Sequence, residues 1–347
     1  MPFSNAEIAE CLALVADEYT DHRKKALKSG SRAAFLWDEE ASDLLEAGRE
    51  LTELPKVGPW LSHLIRGWIE EPPGRPDPSP LRRDFMTMSQ AVAILQDAPE
   101  WCEEVRGDLQ MHSTYSDGYG SIADMADAAE ALRHEYISIT DHSKGLKIAG
   151  GIDEETLAKQ GAEIDSVNDA LEERGSKLRV LRSIEVNLNP QGEVDMDDAA
   201  LDSLDVIVGS FHSKLRVKED QTERYVAALR NRHVNVLGHP RGRVYNFRLG
   251  LTADWPRVFE TAAETGTAIE INCYADRQDL NRELLEIAVA SGCRFSLGTD
   301  SHSPKQLTNV RFGLAAAASV GIDRSRIVNF LPRDALLAWA GTRRSLA

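Results

Sequence analysis

Cysteine is scarce in this chain and nowhere paired. Only Cys11, Cys102, Cys273 and Cys293 occur, and no two of them form a C-x-x-C unit. That excludes a disulfide framework and a thiolate zinc ribbon, and it fits a reducing cytoplasm. Long apolar runs are also missing, since none approaches the ~20 residues that cross a bilayer, so no membrane association is expected. The opening residues Met1-Pro2-Phe3-Ser4-Asn5-Ala6-Glu7 hold no basic segment followed by an apolar one, so no secretory leader is expected. Positive charge is in deficit, with 40 Lys and Arg against 56 Asp and Glu and a formal net charge of −16. A protein that coats nucleic acid regardless of sequence draws its affinity from neutralised phosphates, so tight non-specific binding is excluded. A locally basic site within an acidic chain stays open. No G-x-G-x-x-G follows the apolar run at 107–112, so the dinucleotide-binding fingerprint is absent.

What is present divides in two. Residues 1–71 read as a small helical domain. Ser4 and Asn5 are suited to cap a helix from Ala6, with Ile8, Leu12 and Val15 at helical spacing. A second periodic stretch covers 31–47 and a third 61–69. Residues 72–104 read as a linker and a connecting helix: five prolines between Glu71 and Pro80 stop any helix, and periodicity resumes over 81–96.

From 105 to 347 the pattern alternates. Short apolar runs at 107–112, 136–140, 179–186, 205–211, 234–238, 268–272 and 294–298 are mostly separated by helical stretches. Seven strand–helix units predict a parallel α/β arrangement, and over some 240 residues a closed barrel fits better than an open sheet. Each run ends at or near a metal-binding type of residue: Gln110 and His112 with Asp117 following, Asp141-His142, Glu185, His212, His239, Asn272, and Asp300 with His302. In a parallel barrel those ends open on one face. Five of the nine histidines sit at them, whereas His22, His63, His134 and His233 fall on helices or helix ends and read as surface or capping residues. Imidazole with carboxylate is the donor set of Zn, Mn and Fe rather than of Ca.

The segment Asp108-Leu109-Gln110-Met111-His112-Ser113-Thr114-Tyr115-Ser116-Asp117-Gly118 resembles the first motif of the PHP (polymerase and histidinol phosphatase) family. Ile139-Thr140-Asp141-His142-Ser143, Glu185, His212, Gly238-His239-Pro240 and Gly298-Thr299-Asp300-Ser301-His302 resemble its later motifs, in order. The likeness is greatest to the PHP domain of bacterial family X DNA polymerases, and Ala149-Gly150-Gly151 extends it. The resemblance implies a distorted (β/α)7 barrel with three divalent ions. One ion would take His112, Glu185 and Asp300, with Gln110 where the family often has histidine. A second would take Glu185, His212 and His239, and a third Asp117, His142 and His302. Glu185 would bridge, and Glu185, Asp300 and His142 are the candidate catalytic residues. Residues 51–69 resemble the helix-hairpin-helix of the polymerases' DNA-end-binding domain, with Lys56 where a glycine is usual. The polymerase core that separates the two regions in that family is missing.

Such a site suits phosphoester hydrolysis. Lys144, Lys147, Lys214, Arg216, Lys218, Arg241, Arg243, Arg248 and Arg277 follow the strand ends, and the segments 212–218 and 239–248 contain no acidic residue. Arg243 and Arg277, with Lys144, are the candidate phosphate ligands. The leading expectation is an exonuclease or 3′-phosphatase acting on DNA ends. The alternatives are a small-molecule phosphatase of the histidinol-phosphate kind and a DNA-end-binding module without activity.

Overall fold

The computed structural model describes residues 2–344, which divide into two compact units at the Pro99–Glu100 junction.

In the first unit Ser4 caps the helix Asn5–Ala16, with Glu7 closing the reciprocal bond to the Ser4 backbone. The apolar face of that helix, Ile8 and Leu12, packs with Leu27, Trp37, Leu44, Leu51, Leu61 and Ile65 in one core. The periodic stretch expected over 31–47 is two helices, His22–Ala34 and Ala41–Glu46. The break between them buries Trp37, whose indole N–H donates to the Pro55 carbonyl at 3.1 Å. The proline-rich stretch is tied back to this unit: Arg82 grips the buried Glu10 carboxylate through two bonds of 2.6 and 2.7 Å. The helix expected from residue 81 begins at Met88, where Thr87 and Gln90 form the capping pair.

The second unit holds seven parallel strands in the order of the chain. They are β1 (Gly107–Met111), β2 (Tyr136–Ile139), β3 (Arg179–Asn187), β4 (Val206–Ser210), β5 (Val236–Leu237), β6 (Ala268–Asn272) and β7 (Arg294–Gly298). β3 is long enough to serve two neighbours, pairing with β2 through Arg179–Arg182 and with β4 through Ser183–Asn187. A bridge between Met111 and Ser301 joins the first strand to the chain just beyond the last, and the Asp300 N–H donates to the Gln110 carbonyl at 2.9 Å. The sheet therefore closes into the expected (β/α)7 barrel. Helices such as Ile122–Ala131, Glu154–Glu173 and Trp255–Thr265 lie between strands. The strands are almost wholly buried, as parallel strands flanked by helices are.

Two histidines differ from the sequence reading. His22 and His63 are exposed as expected, but His134 and His233 are buried. His233 places Nε2 3.2 Å from Asp198 Oδ1, and His134 sits in the turn that leads into β2, where its N–H donates to the Ala129 carbonyl. A helix-end position says nothing about whether the following turn is roofed over, and here both turns are.

Candidate metal centre

All the strand-end histidines converge at the C-terminal mouth of the barrel. Their rings form one arc: His302 and His112 centroids lie 4.5 Å apart, His112 and His142 4.4 Å, His142 and His212 5.1 Å, and His212 and His239 5.2 Å. Glu185 stands inside the arc. Its Oε1 is 2.9 Å from His239 Nε2 and 3.5 Å from His212 Nε2. Its Oε2 is 2.8 Å from His142 Nδ1 and 3.8 Å from His112 Nε2. Asp300 Oδ1 lies 3.0 Å from His112 Nε2. Asp117 Oδ1 lies 3.4 Å from His302 and 3.6 Å from His142.

Local backbone explains how the strands deliver these groups. His239 and Asp300, each at the point where the chain leaves its strand, hold positive φ values of 25° and 53°. Such conformations cost energy and persist where the surroundings fix them, as at functional sites. A Cβ on Gly298 would lie 2.0 Å from Glu270 Oε1 and 2.8 Å from Gln110 Cβ, so only glycine leaves room for both side chains inside the barrel.

The donors fit divalent ions. Among the described residues, Gln110 Oε1, His112 Nδ1, His212 Nε2 and His239 Nδ1 are buried with no hydrogen-bond partner. So many orphaned lone pairs at one spot are costly unless cations take them. Two sets already have the compactness of a coordination shell: His112, Asp117, His142 and His302; and His142, Glu185 and His212. Neutral imidazoles and ionised carboxylates are the ligating forms. Burial pushes His212 down to about 4 and also lowers His239, where the Arg277 charge adds to it. Burial works against the Asp300 carboxylate, but the guanidinium of Arg277 and then His112 hold it far below the ordinary range. Glu185 likewise overcomes burial through His142 and His212.

The proposed phosphate ligands separate. Arg277 reaches the centre, with Nε 2.9 Å from Asp300 Oδ2, and its buried Nη1 has no hydrogen-bond partner among the described residues. Arg243 is buried beside Asp279 and offsets the rise that burial imposes on that carboxyl. Lys144 is turned to the outside, its Nζ 2.6 Å from Glu154.

Two acidic residues around the site, Glu270 and Asp108, escaped the sequence reading as functional groups, and Asp141, noted there at a strand end, has a different role. Glu270, fully buried on β6, is held well above the usual carboxyl range by burial. It accepts the His239 N–H at 2.6 Å and the Asn272 amide at 3.1 Å. Asp108 is raised to about 6 by burial and accepts the Thr299 N–H. Asp141, beside His142, turns away from the arc and latches the loop after β1, accepting from the Ser113 and Ser116 N–H groups and from Gln160. The signal for Glu270 was visible in Ala268-Ile269-Glu270-Ile271-Asn272, an acid in mid-strand among apolar residues.

Fold and site together define a parallel seven-stranded α/β barrel with a histidine–carboxylate metal centre at its mouth. That barrel belongs to the PHP domain family, whose pattern matches residues 108–279. The chain is 36% identical over 243 residues to the DNA polymerase/3′-5′ exonuclease PolX of Bacillus subtilis, covering 69% of this chain and 42% of that protein. It thus spans less than half of that relative's length. It is 26% identical over 235 residues to the probable phosphatase YcdX of Escherichia coli, covering 66% of this chain and 91% of that one. A solved structure of histidinol phosphate phosphatase from Lactococcus lactis, complexed with Zn, L-histidinol and phosphate, is similar with a TM-score of 0.47. It shares 18% identity and covers 63% of this chain and 95% of that one.

Proposed function

We propose that the second unit is a metal-dependent phosphoesterase acting on DNA ends, as a 3′–5′ exonuclease or a 3′-phosphatase. The observation that carries the hydrolase reading is the arc of five imidazoles, four of them facing Glu185, with the unpartnered Nη1 of Arg277 beside it. His112, Glu185 and Asp300 would hold one ion, with Gln110 beside them. Glu185, His212 and His239 would hold a second, and Asp117, His142 and His302 a third. Divalent ions of Zn, Mn or Fe bound there would acidify a water and neutralise phosphate charge.

The chain's own groups do the rest. Arg277 is kept charged, because Asp300 together with Glu185, Asp279 and Glu270 outweighs burial, and its unpartnered nitrogen can donate to a phosphate oxygen. Glu270 fixes His239 through the backbone, and the Asn272 amide steadies Asp300 at 3.2 Å. Gln110, His112, His142, Glu185, His239 and Asp300 are buried, so that part of the centre is shielded from bulk water, while Asp117 and His302 stand partly exposed.

The exonuclease activity in the name of the Bacillus subtilis relative and the basic residues that follow β4 and β5 support DNA as substrate. Residues 1–71 would then serve as the end-binding domain, with the turn at Lys56 in a left-handed conformation of φ 67°. Four free cysteines support a cytoplasmic setting. A small-molecule phosphomonoesterase is the second reading, favoured by the nearly full-length cover of the probable phosphatase YcdX. Phosphate and nucleotide release should be measured from single strands, nicked duplex, 3′-phosphorylated ends and histidinol phosphate, each with Mn and with Zn. The DNA reading expects release from the ends. Hydrolysis of small monoesters alone would overturn it in favour of the second.

A further inference from the structure

The loops at the strands' C-terminal ends carry most of the large apolar side chains that the second unit exposes. Tyr119 follows β1, Ile148 follows β2, and Phe247 and Leu249 follow β5; among the described residues only Leu132 lies elsewhere. Phe247 differs from the others in being fixed and in being linked to the metal centre. It sits on a tight turn closed by the bridge between Val244 and Arg248 and pinned by the Tyr245 N–H to the Asp276 carbonyl at 2.7 Å. The Arg248 guanidinium is anchored by Nε to the Gly242 carbonyl. Arg216, from the loop after β4, lies 4.3 Å over the Phe247 ring, and Arg248 lies 5.9 Å from it. The ring still leaves 57% of the residue's surface in water. Arg248 in turn stands within the field of Arg277 and of Arg216. The Phe247 turn is thus held to Asp276, the residue before Arg277, which itself pairs with Asp300.

We propose that Phe247, backed by Arg216 and Arg248, is a stacking platform for a nucleobase of the substrate, next to the phosphate held by Arg277. This rests on the phosphoesterase reading above and commits it to a substrate bearing a base. A flat aromatic face beside guanidinium groups matches a base joined to a phosphate. It does not match an aliphatic phosphate ester such as β-glycerophosphate, which has no π-face to offer. The platform also suits this chain's charge of −16: long-range attraction to DNA is absent, and stacking does not depend on it.

The test uses the full chain. In Phe247→Trp, indole emission should be quenched saturably by a short oligothymidylate and not by an abasic strand of equal length. In Phe247→Ala, KM for the oligonucleotide should rise roughly ten- to a hundredfold with kcat little changed. Its kcat/KM for β-glycerophosphate should match wild type. A wild-type KM for the oligonucleotide in Phe247→Ala, or equal quenching by the abasic strand, would overturn the platform. If the wild-type protein cleaves neither substrate while base-dependent quenching persists, the hydrolase reading fails and the platform stands.

Discussion

Glu185 is the residue on which the centre turns, because its two oxygens face four of the five imidazoles. Replacing it with glutamine keeps the shape and removes the charge. Glu185→Gln should lose metal from two positions, and hydrolysis should fall by more than about a hundredfold. Metal analysis of the purified variant checks this, and full metal content would remove Glu185 from the bridging role. His134 carries a prediction of another kind. Burial pushes it from 6.5 down to about 4, so as pH falls the unfolded chain takes up this proton before the folded one does. Protonation therefore favours unfolding. The stability tied to neutral His134 is present above pH 6.5 and is lost as pH falls towards 4, about 3 kcal/mol in all. The His134→Gln variant lacks that titration. The difference in unfolding free energy between wild type and variant should shrink by that amount between pH 7 and pH 4, as denaturant titrations can show. A constant difference would mean that His134 does not titrate in this window.

At the scale of elements, strand ends matter more than strand middles. Gly298 closes β7 where Glu270 and Gln110 press in from the barrel interior. Gly298→Ala should cost roughly 1–3 kcal/mol, seen as a lowered melting temperature, because neither buried neighbour has space to withdraw. Unchanged melting would show that Glu270 can move aside. The strands themselves were readable from the sequence, since each apolar run stops at a polar motif and the periodicity changes there. The arc of histidines was readable for the same reason: parallel strands place all such stops on one face. Glu270 and the latch formed by Asp141 were not readable. In a parallel barrel both faces of a strand are buried, so alternation does not say which side chains look inward. The fate of Lys144 was hidden as well, since its partner Glu154 begins the next helix. In the first unit, the break at Trp37 depended on a bond to Pro55 that periodicity cannot express.

At the scale of the whole molecule, all the proposed ligands lie in the unit that begins at Glu100. A fragment starting there should fold, keep its metals and hydrolyse a simple ester such as p-nitrophenyl phosphate. If residues 1–71 recruit DNA ends, the fragment should lose activity on DNA alone. The full chain's KM for DNA should then climb steeply with salt, since only local basic patches offset an overall charge of −16. Identical DNA cleavage and salt response in both forms would make the helical unit irrelevant to substrate capture.

The seam between β1 and β7 has a consequence for how this protein is made. His112 and Asp300 meet across it although 188 residues separate them. Closing a chain segment of that length costs on the order of 5 kcal/mol of entropy, and the cost is met only when the last strand docks. During synthesis β7 leaves the ribosome after every other strand. A growing chain can therefore display His112, His142, Glu185, His212 and His239 while still lacking Asp300 and His302. Under the proposed assignment, two of the three ion positions stay incomplete until β7 docks, so hydrolysis would begin only at the end of barrel assembly.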